Sequence, residues 1–213
     1  MEVLLRKEVE LQGHWVRLVP LRAEHAARLL SETRDPEIWR WWRSEPPTTE
    51  ERLQEWIGHL LRERDAGEAL PFTIELVAEE HRAVGMTRFL NISREDRRAE
   101  IGGTWIARRL WGTPVNLDAK YLLLRHAFES EGIERVELKT DGRNLRSQRA
   151  IEKTGAVREG VLRHHMITWD GYPRDSVYFS ILSGEWPSVK SRLNTILEGR
   201  RAPGHSQSPP GGL

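Results

Sequence analysis

The sequence predicts an α/β fold in which helices flank a mixed sheet of about seven strands. Three observations indicate this fold. Short apolar runs typical of strands alternate with longer runs whose apolar residues recur at helical spacing. The runs follow one another in the order β-αα-βββ-α-β-α-ββ. The chain has 213 residues, which is enough to bury one sizeable core.

Each element is predicted from its local pattern and its flanking residues. The first half contains a strand at residues 14–21, helices at 23–33 and 48–64, and strands at 72–78, 84–92 and 99–106. The second helix opens with Thr48 and Glu51 in capping-box spacing. The second half contains a helix at 115–129, a strand at 135–140, a helix at 145–153, strands at 161–169 and 176–182, and a helix at 186–197. Gly132 and Gly155 are expected to end the first two of these helices.

Composition limits the possible functions. The net charge of +1 argues against a nucleic-acid binder, and the absence of cysteine excludes disulfides and a thiolate nucleophile. No apolar run resembles a signal peptide or a membrane span, and we expect no metal. We therefore expect a cytoplasmic protein with one domain at residues 1–198. The tail at residues 199–213 is rich in Pro, Gly and Ser and is expected to be disordered.

The most informative passage is the turn at residues 109–116, between a predicted strand and a predicted helix. Gly112 can adopt a backbone conformation that side chains disfavour, and it lets a ligand approach closely. Thr113 suits the N-cap of the helix, and Pro114 suits its first position. The turn lacks the Lys-Ser/Thr pair of a P-loop and the three glycines of a dinucleotide-binding loop.

Such a helix start favours an anion. The amides of Val115, Asn116 and Leu117 are expected to be free at the positive end of the helix, where an anion is stabilised. Arg108 and Arg109 add mobile positive charge beside them. The same pattern also occurs at strand–turn–helix junctions that bind only water, so the residues alone leave both interpretations open.

Four passages together resemble the GNAT superfamily of acetyl-CoA-dependent N-acetyltransferases. They are residues 99–106, residues 109–116, residues 136–141 with Asn144 and Ser147, and residues 153–160. Their order and spacing are similar to the RimJ/RimL branch, the ribosomal-protein N-terminal acetyltransferases, over about residues 12–185. The combination is far more specific than any one motif.

The resemblance implies a largely antiparallel sheet with a splayed strand pair that holds the coenzyme. Gly102 and Gly103 would then form a bulge, although a weakened strand explains them equally well on local grounds. Backbone groups of Trp105 and Ile106 would pair with the pantetheine amides of acetyl-CoA.

By the same resemblance, the coenzyme diphosphate would lie on the turn described above. The implied contacts are Arg108, Arg109, Trp111, Gly112, Thr113, Pro114, Val115 and Asn116. Pro114 stands where the family usually has Gly or Ala, which removes one amide donor and leaves the later ones. Trp111 is expected either to cover the coenzyme or to pack against the fold.

The resemblance also implies catalytic roles. Glu100 is the candidate base, and its alternative is a solvent-facing residue at a strand edge. Many members carry a Tyr seven residues beyond the Asn equivalent to Asn144, but this chain has Ile151 there. Ser147 is the candidate substitute as proton donor to the coenzyme sulfur, and a plain helix-start residue is its alternative. Asn144 is both a helix N-cap and a candidate coenzyme contact.

The acceptor is expected to be an amine, either a protein N-terminus or a small molecule. Trp39, Trp41 and Trp42 lie in the connection between the first two helices, which lines the acceptor site in GNAT enzymes. Glu100 would contact the acceptor too. Packing on the sheet edge is the alternative for the tryptophans. A CoA-binding module without catalysis is the alternative function, and analogy with the family suggests a homodimer.

Overall fold

The computed structural model describes residues 8–200. The strands are β1 (Leu11–Gln12), β2 (Val16–Pro20), β3 (Ala69–Leu76), β4 (Arg82–Ser93), β5 (Arg98–Ile106), β6 (Arg135–Asp141), β7 (Val157–Ile167) and β8 (Pro173–Leu182). The helices are α1 (His25–Leu29), α2 (Glu50–Ala66), α3 (Val115–Arg125), α4 (Leu145–Thr154) and α5 (Trp186–Glu198). A π-helical turn, His126–Ser130, continues α3.

The strands form a single eight-stranded sheet in the order β1-β2-β3-β4-β5-β6-β8-β7. Every neighbouring pair is antiparallel except β5 and β6, which are parallel. These two pair only where Arg98, Ala99 and Glu100 face residues 135–137. Beyond Glu100 they diverge, so the middle of the sheet opens into a wedge. The predicted mixed, largely antiparallel α/β fold with a splayed strand pair is therefore confirmed.

Two apolar clusters cover the two faces of the sheet. The larger cluster packs α3, α4 and α5 on one face and includes Ile101, Leu138 and Val177. The smaller cluster packs α1 and α2 on the other face. Because side chains alternate between the faces of a strand, Glu100, Lys139 and Arg174 lie on the α1–α2 side.

A few predicted boundaries were wrong. The sheet has eight strands rather than seven because the two-residue β1 pairs with β2, and so short a segment leaves no periodic pattern. The first helix, predicted at 23–33, consists of α1 and a 3-10 turn, Leu30–Glu32, that continues it. Thr49 rather than Thr48 caps α2, because its hydroxyl accepts the Arg52 amide at 3.3 Å. Strand β7 begins at residue 157 rather than 161.

The predicted bulge lies in β5. Met86 of β4 pairs with Trp105 and Arg88 pairs with Gly102, so three steps along β5 correspond to two along β4. Gly103 has a φ of +53°, a conformation that favours glycine. The bulge thus interrupts β5 directly beside the wedge.

The predicted tail begins with two ordered residues. Gly199 ends α5, and the guanidinium of Arg200 donates to the carbonyl of Gly112 at 3.2 Å. The rest of the predicted tail, 201–213, lies outside the described residues. Between residues 8 and 200, no helix is both long enough and apolar enough to cross a membrane.

Candidate active site

One cavity of about 710 Å³ extends through the wedge between β5 and β6. One end is lined by the turn before α3 and by the first turn of α4. The other end lies under the connection between α1 and α2. Ten of the predicted site residues line it: Trp41, Trp42, Glu100, Trp105, Ile106, Trp111, Gly112, Asn116, Asn144 and Ser147. The fold therefore brings most of the candidates from three separate passages to one site.

The turn before α3 presents free amides, as predicted. Gly112 has a φ of +80°, and an added Cβ would meet no atom within 4 Å. The N–H groups of Gly112, Asn116 and Leu117 donate no hydrogen bond to another described residue. These N–H groups lie at or just before the start of α3, a helix of 11 residues. The positive end of the helix dipole is there, so an anion is favoured.

The capping of α3 differs from the prediction. Pro114 occupies the N-cap, because its carbonyl accepts the Asp118 amide at 2.9 Å. The Thr113 hydroxyl instead donates to the Leu110 carbonyl at 2.6 Å and lies 3.4 Å from the Val115 amide. Of the three amides expected to be free, that of Val115 thus already has a weak partner. Thr113, Pro114 and Val115 do not line the cavity.

The two arginines of the turn point to carboxylates of the surface. Arg109 pairs with Glu79 at 3.2 Å and with Glu32 at 3.4 Å, and Arg108 pairs with Asp35 at 3.4 Å. Neither lines the cavity. Arg146, which the sequence analysis did not select, is placed better for an anion. Its guanidinium carbon lies 3.1 Å from the ring centroid of Trp111, at the cavity wall.

Strand β5 offers an open edge to the wedge. The Ala107 amide donates to the Val84 carbonyl of β4 at 2.8 Å. Since backbone groups alternate along a strand, the amide of Ile106 faces the open edge and that of Trp105 faces β4. Of the two residues expected to pair with a ligand, only Ile106 therefore turns its backbone groups to the open edge. The side chain of Trp105 is buried in the cavity wall, and its Nε1 has no hydrogen-bond partner among residues 8–200.

The first turn of α4 faces the turn before α3. Asn144 caps the helix, and its side-chain oxygen accepts the Ser147 amide at 3.0 Å. The Ser147 hydroxyl makes no hydrogen bond to another described residue and lines the cavity. Ile151 lines the cavity one turn further along. The cap thus uses the backbone of Ser147 and leaves its hydroxyl available.

Glu100 lies at the apex of the wedge and is only 3% exposed. Its Oε2 accepts hydrogen bonds from Lys139 Nζ at 2.5 Å and from Asn91 Nδ2 at 2.8 Å. The alternative of a solvent-facing residue is therefore wrong. One cationic and one amide donor thus hold this buried carboxylate in a fixed position at the cavity wall.

Lys120 is a further buried charge that the sequence analysis missed. It lies on α3, lines the cavity and donates to the Thr104 hydroxyl at 2.7 Å. Burial lowers its pKa to about 7, and Glu100 opposes this shift. In the sequence, apolar residues of α3 extend beyond its predicted buried stripe. This pattern could have indicated that the helix is buried on several faces, including the face of Lys120.

The other end of the cavity has an aromatic wall. Trp41 and Trp42 line it as predicted, together with Trp56 of α2, which was not selected. Trp39 does not line it. That side chain is fully buried in the smaller core, where its Nε1 donates to the Thr33 carbonyl at 2.7 Å. Trp39 therefore packs the fold and supports Trp42, with ring centroids 5.0 Å apart.

The β7–β8 hairpin closes over this aromatic end. Trp169, just after β7, donates its amide to the Trp42 carbonyl at 3.2 Å. Arg143 lies between two rings, 3.5 Å from the centroid of Tyr172 and 4.7 Å from that of Trp41. Cation–π contacts of this kind stabilise the stack. The hairpin and the α1–α2 connection thus form a roof over the cavity.

A comparison with protein-family models identifies the fold's family. A model described as an acetyltransferase (GNAT) domain matches residues 16–157. The chain belongs to the GNAT acetyltransferase family. As a GNAT N-acetyltransferase, it belongs to a family that uses acetyl-CoA and acts on an amine acceptor.

Similar structures and curated relatives agree with this assignment. A candidate acetyltransferase from T. thermophilus is 42% identical, with a TM-score of 0.79, and the match covers 88% of this chain and 96% of that one. RimJ of Mycobacterium smegmatis, solved in complex with CoA-disulfide, is 25% identical, with a TM-score of 0.77 and coverage of 90% and 94%. YdaF of Bacillus subtilis, described as a candidate ribosomal N-acetyltransferase, is 33% identical over 106 residues, which are 50% of this chain and 57% of YdaF.

The cavity of this GNAT chain has groups whose chemistry suits the parts of CoA. The free amides of Gly112, Asn116 and Leu117 suit a diphosphate, and Arg146 adds a cation beside them. The open edge of β5 at Ile106 suits the amides of the pantetheine arm. The wedge leads from there to Glu100, so a thioester would be brought next to a buried carboxylate.

Proposed function

We propose that this GNAT enzyme transfers an acetyl group from acetyl-CoA directly to a primary amine in a ternary complex. The observation that carries the proposal is the continuous cavity, which joins the free amides before α3 to Glu100 and then to the aromatic end. Two substrates can therefore meet at the apex of the wedge from opposite sides. Holding both reactants in one orientation supplies much of the rate, without a covalent enzyme intermediate.

The coenzyme, when bound, supplies a thioester whose carbonyl carbon the amine can attack. Glu100 accepts a proton from the amine, directly or through a water, and Lys139 and Asn91 hold its carboxylate in place. Ser147 donates a proton to the leaving sulfur and regains one from water. An ammonium acceptor loses two protons in all, and Glu100 passes what it accepts to solvent. The net result is one proton on the thiol and one in solvent. The N–C bond forms as the C–S bond breaks.

The roofed aromatic end supports an acceptor of limited size. Trp41, Trp42 and Trp56 line it, and the contacts of Trp169 and Arg143 close it. A small-molecule amine, or the first residue of a peptide, fits such a space better than a folded protein surface. The resemblance to ribosomal-protein N-terminal acetyltransferases, together with YdaF as a candidate ribosomal N-acetyltransferase, makes a protein N-terminus the other acceptor to test.

A CoA-binding protein without turnover is the second candidate. Ile151 supports it, because an apolar side chain lines the cavity where many family members have a Tyr. Release of free thiol from acetyl-CoA in the presence of a panel of amines separates the two functions. Thiol release that depends on an amine supports the transferase. Coenzyme binding by calorimetry without thiol release for any amine would support the second candidate.

A further inference from the structure

A buried cation in the cavity wall has no partner in the described chain. Arg174 lies on β8, is 9% exposed and lines the cavity. Its Nε makes no hydrogen bond, and its guanidinium forms no ion pair with another residue between 8 and 200. A guanidinium removed from water without a counter-charge is costly, and arginine keeps its charge in proteins.

Two carboxylates influence the pKa of Arg174, and both are already paired with other residues. Asp141 accepts two hydrogen bonds from the guanidinium of Arg143, at 2.8 and 3.0 Å. Glu100 is held by Lys139 and Asn91. Neither acid contacts Arg174; burial lowers the pKa of Arg174, and the charges of Asp141 and Glu100 oppose this shift. This part of the cavity therefore carries an excess of positive charge.

Arg174 lies at the acceptor end of the cavity rather than at the coenzyme end. Its side chain is on the same face of the sheet as Glu100 and the aromatic wall, whereas α3 and α4, which bind the coenzyme in the proposed function, lie on the other face. Arg43 of the α1–α2 connection lines the same end and is near enough to influence the pKa of Arg174. The cationic groups thus surround the place where an amine would approach Glu100.

We infer that the acceptor carries a carboxylate, which pairs with Arg174 and holds the amine at Glu100. This inference rests on the proposed function, because it assigns a partner to the acceptor end of that same cavity. A guanidinium presents two parallel N–H groups that match the two oxygens of a carboxylate. The carboxylate belongs either to a free amino acid or to the first side chain of a peptide.

The test compares acceptors in matched pairs. One pair is a free amino acid and its primary amide, and the other is two short peptides that begin with Asp and with Asn. Each acceptor is assayed with the wild type and with Arg174→Met, and the ratio of the two kcat/KM values is taken. Differences in amine pKa cancel in this ratio. Arg163→Met is the control, because Arg163 is exposed on the neighbouring β7.

For the acceptor whose carboxylate pairs with Arg174, we expect Arg174→Met to lower kcat/KM by about 30-fold or more, mainly through KM. For the matched amide acceptor, kcat/KM of the two proteins should differ by less than about threefold, since an amide forms no charged pair. The pair that shows the effect identifies the source of the carboxylate. Arg174→Lys keeps the charge and should retain part of the preference. Equal losses for charged and neutral partners would overturn the inference.

Product binding gives a readout that does not depend on turnover. Calorimetry without coenzyme should detect an N-acetylated carboxylate product with the wild type and with Arg163→Met, but at least 10-fold weaker with Arg174→Met. If thiol release fails for every amine, the proposed function fails, and this measurement still tests Arg174. If thiol release occurs and product binding is the same in all three proteins, only the carboxylate inference fails.

Discussion

Lys120 Nζ donates to Thr104 Oγ1 at 2.7 Å, which joins the interior of α3 to the bulged part of β5. Thr104 Oγ1 lies in turn 2.8 Å from the hydroxyl of Thr87 on β4. A lysine is an expensive residue in such a place, because burial penalises its charged form. The contact lies in the wall of the cavity, where strained or costly residues are commonly retained for function.

Replacing Lys120 by Met should stabilise the fold at neutral pH. Burial lowers the pKa of Lys120 from 10.5 to about 7, so between these values the unfolded chain binds more protons than the folded one. The stability of the wild type therefore rises with pH through this window, by about 1.4 kcal/mol per unit at most. The gain from Lys120→Met should be largest below about pH 7, where it no longer depends on pH, and should vanish toward pH 10.5.

Denaturant unfolding at several pH values measures this gain. Lys153→Met is the matched control, since Lys153 is exposed on α4, and its stability should follow that of the wild type at every pH. A Lys120→Met protein that is less stable than the wild type at pH 7 would show that the hydrogen bond to Thr104 outweighs the cost of burial.

Glu100→Gln should slow acetyl transfer without weakening coenzyme binding. The amide keeps the shape of the carboxylate but cannot accept the proton of the amine, and general-base catalysis typically contributes about 10²- to 10⁴-fold. Steady-state kinetics gives kcat, and calorimetry with CoA gives the affinity. Glu137→Gln is the control, because Glu137 is a half-buried carboxylate in the paired segment of β6 and does not line the cavity. An unchanged kcat in Glu100→Gln would remove Glu100 from the mechanism.

Ser147→Ala tests the proton donor separately from the helix cap. Because Asn144 bonds to the backbone amide of Ser147, the substitution removes the hydroxyl and leaves the cap in place. We expect unchanged thermal stability and a kcat lowered by about 10-fold or more. Asn144→Ala should instead destabilise the fold by about 1 kcal/mol through loss of the cap. Equal turnover in Ser147→Ala and the wild type would exclude the hydroxyl as the donor.

Gly112→Ala should weaken both the fold and coenzyme binding. The added Cβ has free space, so the cost is the strain of a residue held at a φ of +80°, about 1 kcal/mol. Gly132→Ala is a closely matched control, because Gly132 has a φ of +63°, equal free space and a place after α3, outside the cavity. Both variants should lose similar stability in thermal unfolding, but only Gly112→Ala should lose affinity for CoA. Equal affinities would place the diphosphate elsewhere.

The backbone features of the proposed coenzyme site could be predicted from the sequence. Gly112 and Gly103 mark a turn and a bulge through their special conformations, and Asn144 marks a helix start. Such signals are local, so one sequence suffices to find them. Local sequence does not show, however, that Arg108 and Arg109 form ion pairs with Asp35, Glu79 and Glu32.

The acceptor side could not be predicted in the same way. Trp39 and Trp41 are near neighbours of one type in the sequence, yet one is fully buried and the other lines the cavity. The sequence does not distinguish Lys139 from other charged strand residues, because only the pairing of β5 with β6 brings it to Glu100. Arg174 comes from a strand about 74 residues beyond Glu100 in the chain, and nothing in its local pattern marks it as unpaired.

The sequence by itself thus determined the order of the helices and strands, the turn that presents free amides, and the glycines that permit it. These follow from periodicity and from backbone conformations, which depend on neighbours in the chain. Only the tertiary structure decided which charges are buried and which of them have partners. Burial and pairing depend on elements far apart in the chain, and they set the electrostatic character of the acceptor end.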